Sequence, residues 1–252
     1  MPLLLMKKLY YLLFVLLIMI SCTKDNAKSS DSFADGGKGG SLARFAIAGN
    51  YLYVVNQNAL KVYDITDATA PVDKGVTQLP WGIETIFAYD QKLFVGSTNA
   101  LFIFDITDPA KPKPESRVQH FRSCDPVVTQ GTTAFVTLRG GNTCGGTLNA
   151  LMVYDVKDVK NPVMKAQVEL TGPYGLGVQD SALYVCDGAK GLGVFNIKDP
   201  YLPKVLEYIN DGSIYYDVIP YNGILIAYVE GGVRFFDISK PQNPVALSAL
   251  MN

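Results

Sequence analysis

Residues 60–71 read LKVYDITDATAP, an alternating apolar run that ends in two carboxylates, Asp64 and Asp67, and then in Pro71. The same cadence returns as LFIFDITDPAKP at 101, LMVYDVKDVKNP at 151, LGVFNIKDPYLP at 192 and VRFFDISKPQNP at 233. The polar anchor is Asp64, Asp105, Asp155, Asn196 or Asp237, at intervals of 41, 50, 41 and 41 residues. An aromatic precedes the anchor each time (Tyr63, Phe104, Tyr154, Phe195, Phe236), and a β-branched residue follows it. A proline stands seven residues further on. A fixed period of this size marks a chain built from stacked copies of one supersecondary unit.

Outward from the anchor, each unit carries more strand-like segments. One lies just upstream, as in YLYVVN, KLFVGST and ALYVCD, and another lies before that, as in RFAIAGN and DVIPYN. A weaker one follows the prolines, as in DKGVTQL and VLEYIN. Four short strands per period is the signature of a propeller blade. The chain is therefore expected to be all-β, a five-bladed β-propeller of four-stranded antiparallel blades, at about 43–80, 83–121, 125–170, 174–210 and 214–252. A strand covered on both sides is apolar on both alternations. Leu60 and Val62 are expected to face one neighbouring blade, Tyr63 and Ile65 the other. The fifth unit keeps its own last strand, VALSAL, so closure of the ring is expected to rest on packing of the first unit against the last.

Paired acids raise the question of acid–base chemistry or an ion site. The anchor falls where the third strand turns into the fourth, and there a short carboxylate or amide accepts hydrogen bonds from backbone N–H groups two or three residues on. Asn196 fills the same place without charge, so charge is not the required property. Asp64, Asp105, Asp155, Asn196 and Asp237 are read as structural turn residues. Asp67, Asp108, Asp158 and Asp199 reinforce the turns, and Pro109, Pro200 and Pro241 stiffen them.

Ahead of the repeats, Lys7 and Lys8 precede an unbroken apolar stretch from Leu9 to Ile20, then Ser21 and Cys22. Twelve helical residues rise only about 18 Å, short of the roughly 30 Å hydrocarbon core, which fits a signal segment rather than a membrane span. The small residue followed by cysteine resembles a bacterial lipobox. The resemblance implies cleavage after residue 21 and acylation of Cys22; the competing reading is an ordinary secretory signal with an incidental cysteine. Several acyl chains anchor a protein where one does not. The polar, glycine-rich residues 22–41 are expected to form a flexible linker, leaving 42–252 for the propeller. Lys24 and Asp25 resemble the surface-export signal of Bacteroidota lipoproteins. The expected location is the cell envelope, lipid-anchored at the outer membrane, on either side of it.

The repeat pattern, aliphatic-x-aliphatic-aromatic-Asp-aliphatic with a following proline, resembles the LVIVD-repeat family at all five units. That resemblance implies a propeller of bacterial surface or lipoprotein chains with no common catalytic function. Formal net charge is −1, which argues against a broad basic surface and so against nucleic acid as partner.

Function in a repeat protein concentrates where one unit departs from its siblings. The third unit carries the nine-residue excess, LRGGNTCGGTLN, between its second and third strands, and HFRSCDPVV leads into it. Propeller geometry puts both on the face opposite the Asp turns. Cys124 and Cys144 are expected to form a disulfide there, worth roughly 3 kcal/mol for a loop of about twenty residues. Cys186 is left as a buried thiol. A cysteine metal site would need further ligands that the sequence does not supply, and a phosphate loop would need a Gly-Lys-Ser/Thr ending, so neither metal nor cofactor is expected. Arg122 and Arg139 flank the cysteines, as ligand contacts or as solvated charges. Trp81, Tyr174, Tyr215 and Tyr216, with Glu84, Asp125 and Asp217, are expected around the central opening, where they either bind a ligand or plug the funnel between blades. The expected function is a non-enzymatic binding or scaffold module for an envelope protein or polysaccharide. The alternative is a glycan-acting hydrolase or lyase using the acids at the channel mouth. With His120 as the sole histidine, no Ser-His-Asp set is available.

Overall fold

The computed structural model describes residues 40–119, 126–141 and 147–251. Blade 1 holds β1 (Phe45–Ala48), β2 (Tyr51–Asn56), β3 (Ala59–Asp64) and β4 (Val72–Gln78). Blade 2 holds β5 (Ile83–Tyr89), β6 (Lys92–Ser97), β7 (Ala100–Asp105) and β8 (Lys113–Gln119). Blade 3 holds β9 (Val127–Gln130), β10 (Thr133–Leu138), β11 (Ala150–Asp155) and β12 (Val163–Glu169). Blade 4 holds β13 (Leu176–Gln179), β14 (Ala182–Cys186), β15 (Leu192–Asn196) and β16 (Lys204–Ile209). Blade 5 holds β17 (Tyr215–Tyr221), β18 (Ile224–Val229), β19 (Gly232–Asp237) and β20 (Val245–Met251). Each blade is a four-stranded antiparallel sheet in sequential order, and among the described residues no strand is exchanged between blades. The fold is the five-bladed β-propeller that the 41-residue period predicts.

All five anchors form the turn expected of them. Asp64, Asp105, Asp155, Asn196 and Asp237 each accept from the backbone N–H two residues on, at 2.7 to 3.0 Å. Asp67, Asp108, Asp158 and Asp199 repeat the bond three residues later. Lys240 lacks that acceptor, yet the backbone turn survives through Asn243 N–H to the Lys240 carbonyl at 2.8 Å. Beyond the turns, a bulge recurs in the fourth strand of every blade opposite the aromatic position. In blades 1, 2 and 3 it turns the extra residue's side chain to the anchor's side of the strand. Lys74 thereby reaches Asp64 at 3.2 Å, and Lys165 reaches Asp155 at 3.5 Å. In blade 2 the bulged residue is Glu115, and Lys92 bridges it to Asp105 at 2.8 and 2.7 Å. Asp64 and Asp105 are held at about 2, the first chiefly by the Thr66 hydroxyl and the second chiefly by the Lys92 ammonium.

Apolar packing between blades supplies the core. One buried cluster joins blades 1 and 2, a second joins blades 2, 3 and 4, and a third joins blades 4 and 5. At each junction the forward face of one sheet meets the backward face of the next. In blade 2 the backward face carries Ile86, Leu93, Val95 and Phe104, all buried against Tyr53, Leu60 and Val62 of blade 1. Tyr53 also donates to the Pro109 carbonyl of blade 2 at 2.9 Å, and Tyr184 of blade 4 to that of Pro241 in blade 5 at 2.6 Å.

The fifth junction is different. Among the described residues no buried apolar cluster joins blade 5 to blade 1, so the first-to-last packing expected from the sequence is not seen among them. Residues 40–43 bridge the interval. Ser41 donates to Asp217 of blade 5 at 3.0 Å and accepts from the Leu176 N–H of blade 4 at 2.6 Å. The Ala43 carbonyl accepts from Ile86 N–H of blade 2. Ser41 is buried, so it belongs to the folded domain and not to the linker expected through residue 41.

Candidate functional site

Sequential antiparallel strands put the blade-to-blade connectors and the second-to-third-strand hairpins on one face, opposite the Asp turns. On that connector face three consecutive blades contribute to one row of side chains. The Arg139 guanidinium, at the end of β10, lies 3.5 Å from the Tyr174 ring centroid. Tyr174 meets Tyr216 edge-on at 5.1 Å between centroids, and Tyr216 meets Tyr228 at 5.5 Å. Edge-to-face and offset ring pairs, and a cation over a ring, are each favourable arrangements. The row is therefore a held surface.

The backbone beneath it is fixed by buried polar groups. Thr137 donates to the Tyr174 carbonyl at 2.7 Å, and Gly175 N–H donates to the Tyr216 carbonyl at 2.8 Å. Asp187, wholly buried in the β14–β15 hairpin, accepts from the N–H groups of Thr171 and Gly172 and from the Tyr208 hydroxyl. A buried carboxylate survives only when its lone pairs are filled in this way. Asp187 thus positions the connector that carries Tyr174. Sequence reasoning passed over it because an acid after an apolar strand reads as a surface turn.

Tyr216 reaches the face because of a bulge. The β17–β18 register slips between Tyr215 and Asp217, which frees Tyr216 from the alternation. Tyr215, expected at the central opening, is instead fully buried in the core between blades 4 and 5, with its hydroxyl donating to Asp211 at 2.9 Å. Glu84 occupies the equivalent bulge of blade 2, between Ile83 and Thr85. Partial burial pushes its carboxyl upward, and Arg44 opposes that shift.

Asp217 is committed internally. Its carboxylate accepts from the Ser41 hydroxyl, Leu42 N–H and Val218 N–H. Burial pushes it up to about 6 against those bonds. Gly40 and Gly175 crowd against this carboxylate so closely that a Cβ on either would collide with it. Trp81 is 71% exposed in the connector between blades 1 and 2. Arg122, Asp125, Cys124, Cys144 and Cys22 lie outside the described residues, as does His120. Cys186 is buried as expected, and burial raises its thiol well above the ordinary value. The structure thus brings Arg139, Tyr174 and Tyr216 together, adds Tyr228, and removes Tyr215 from the face.

The fold and site define a five-bladed β-propeller with an aromatic row on its connector face. LVIVD repeats are identified over residues 39–77 and 86–119, which cover blades 1 and 2. No curated protein matches the chain in sequence. Among solved structures, a functionally unknown protein from Desulfotomaculum acetoxidans superposes with a TM-score of 0.66 at 8% identity, over 87% of this chain and 70% of that one. The periplasmic gluconolactonase of Pseudomonas aeruginosa gives 0.63 at 13% identity, over 81% and 68%. The computationally designed Ika8 protein gives 0.56 at 13% identity, over 82% and 60%. These likenesses carry the fold alone. Each of the three is longer than the part this chain matches.

Proposed function

We propose that the chain is a lipid-anchored, non-enzymatic propeller of the bacterial cell envelope that binds an envelope polysaccharide or protein through its connector face. The observation that carries this reading is the row of Arg139, Tyr174, Tyr216 and Tyr228, spread over three blades and braced from below. A rigid row of rings with a guanidinium at one end offers apolar surface and polar handles to an extended ligand. In this reading the whole chain is an LVIVD-repeat lipoprotein: Cys22 is acylated, residues 23–39 tether the domain at the outer membrane, and Cys124 and Cys144 are bridged beside Arg139.

Three experiments test these points. Co-sedimentation of the full chain with purified peptidoglycan and with outer-membrane polysaccharide should show binding. Tyr216→Ala and Tyr174→Ala should weaken it roughly tenfold, the ~1.4 kcal/mol expected of an interface residue of this kind; undiminished binding would reject the row as the site. Cys22→Ala should move the chain from the membrane to the soluble fraction. Non-reducing peptide mapping should find Cys124 joined to Cys144.

The rival reading is a glycan hydrolase or lyase. Glu84, with its raised proton affinity, is the residue that favours it as a general acid. Asp217 weighs against it, since its lone pairs are already filled by Ser41, Leu42 and Val218. Glycan turnover abolished by Glu84→Gln would replace the binding reading with this one.

A further inference from the structure

Blades 1 and 5 each present one sheet face that no described residue buries into a core cluster. On blade 1 it is the backward face, with Phe45 51% exposed, Ile47 exposed, and Leu52, Val54, Tyr63 and Ile65 half-buried. At the same positions blade 2 carries Ile86, Ala88, Leu93, Val95, Phe104 and Ile106, all buried. On blade 5 it is the forward face, with Leu250 67% exposed and Ile224, Ile226, Val233 and Phe235 half-buried. Their counterparts in blade 4, Ala182, Tyr184, Leu192 and Val194, are buried against blade 5. Blade 1's Tyr63 and Ile65 keep the repeat signature although no neighbour covers them.

We propose that these two faces are the halves of a junction between copies of this chain, the blade 5 face of one copy docking on the blade 1 face of the next. The chain itself shows what covers such surfaces. At four internal junctions a forward face is covered by a backward face, and a second copy supplies the missing member of each pair. The contact is heterologous, because the two surfaces differ, so copies associate head to tail. Residues 40–43 already hold the interval at Ser41 and Asp217, and Phe45 and Ile47 of the first strand stay exposed beside them, so the remainder of both faces is open to the partner. Apolar side chains displayed together on a sheet face mark an interaction surface.

The test uses two variants of the full chain, purified from membranes in mild detergent, with protein mass measured by light scattering after subtraction of detergent. Phe45→Glu disables only the blade 1 face, and Leu250→Glu only the blade 5 face. Both side chains are exposed in a single copy, so the fold accepts the change. Wild type should have a mass of at least two chains, and each variant alone the mass of one. An equimolar mixture of the two variants should give a two-chain species, because one intact junction remains possible. Ile47→Glu with Ile226→Glu provides a second pair if either first variant loses its thermal transition. A single-chain wild type would overturn the proposal, as would oligomers that survive in each variant alone or a mixture that stays monomeric.

Discussion

Asp64 and Asp105 on one side and Asp217 on the other give the domain opposite responses to pH. The first two have lowered folded values near 2. Their contribution is fully present above the ordinary carboxylate range and is lost as pH falls through about 4 toward 2. Asp217 has a raised folded value of about 6, so its contribution is full below about 4 and is lost as pH rises through 6. These groups therefore place maximal stability near pH 4, with a loss on the acid side toward 2 and a decline on the other side through about 6. Thermal midpoints measured from pH 3 to 8 should show that maximum. Asp217→Asn should flatten the limb near pH 6 and leave the acid limb unchanged. At the anchors, Asp64→Asn should hold its midpoint at neutral pH better than Asp64→Ala, since an amide oxygen still accepts from Thr66 N–H, as Asn196 does from Lys198 N–H.

At the scale of strands and sheets, the junction hydroxyls are the separable contributors. Tyr53→Phe and Tyr184→Phe each remove one bond to a proline carbonyl in the next blade. Each should lower unfolding free energy by about 1 kcal/mol in denaturant titration. Leu101→Ala, which empties space at a buried position of β7, should cost about 2–5 kcal/mol. The anchor turns were legible in the sequence because each is decided within three residues. The strands were legible because burial imposes alternation along each one. The site was legible only in part. A bulge displaces the alternation by one residue and reverses which side of the sheet a side chain occupies. Nothing in GSIYYD says that Tyr215 goes inward and Tyr216 outward. Asp187 was hidden for a related reason: its partners, Thr171, Gly172 and Tyr208, are set by tertiary contact and not by spacing.

For the molecule as a whole, the period counted the blades but carried no information on curvature, which depends on how faces of different size stack. Whether the last sheet meets the first was therefore beyond the repeat's reach. Cys186, enclosed between blades 4 and 5, reports on the integrity of that junction. Its peptide should remain unlabelled by a thiol reagent at neutral pH, and should label only at the rate of opening of blades 4 and 5, with denaturant dependence matching global unfolding if the propeller opens as one unit. Rapid labelling under native conditions would mean that this junction opens alone. Since every sheet takes its four strands from one continuous segment, no backbone ladder has to be unpicked to add or drop a segment. A gene of this kind can gain or lose a 41-residue cassette by in-frame recombination, so ring size is free to drift between descendants while each inherited cassette still folds to the same plan.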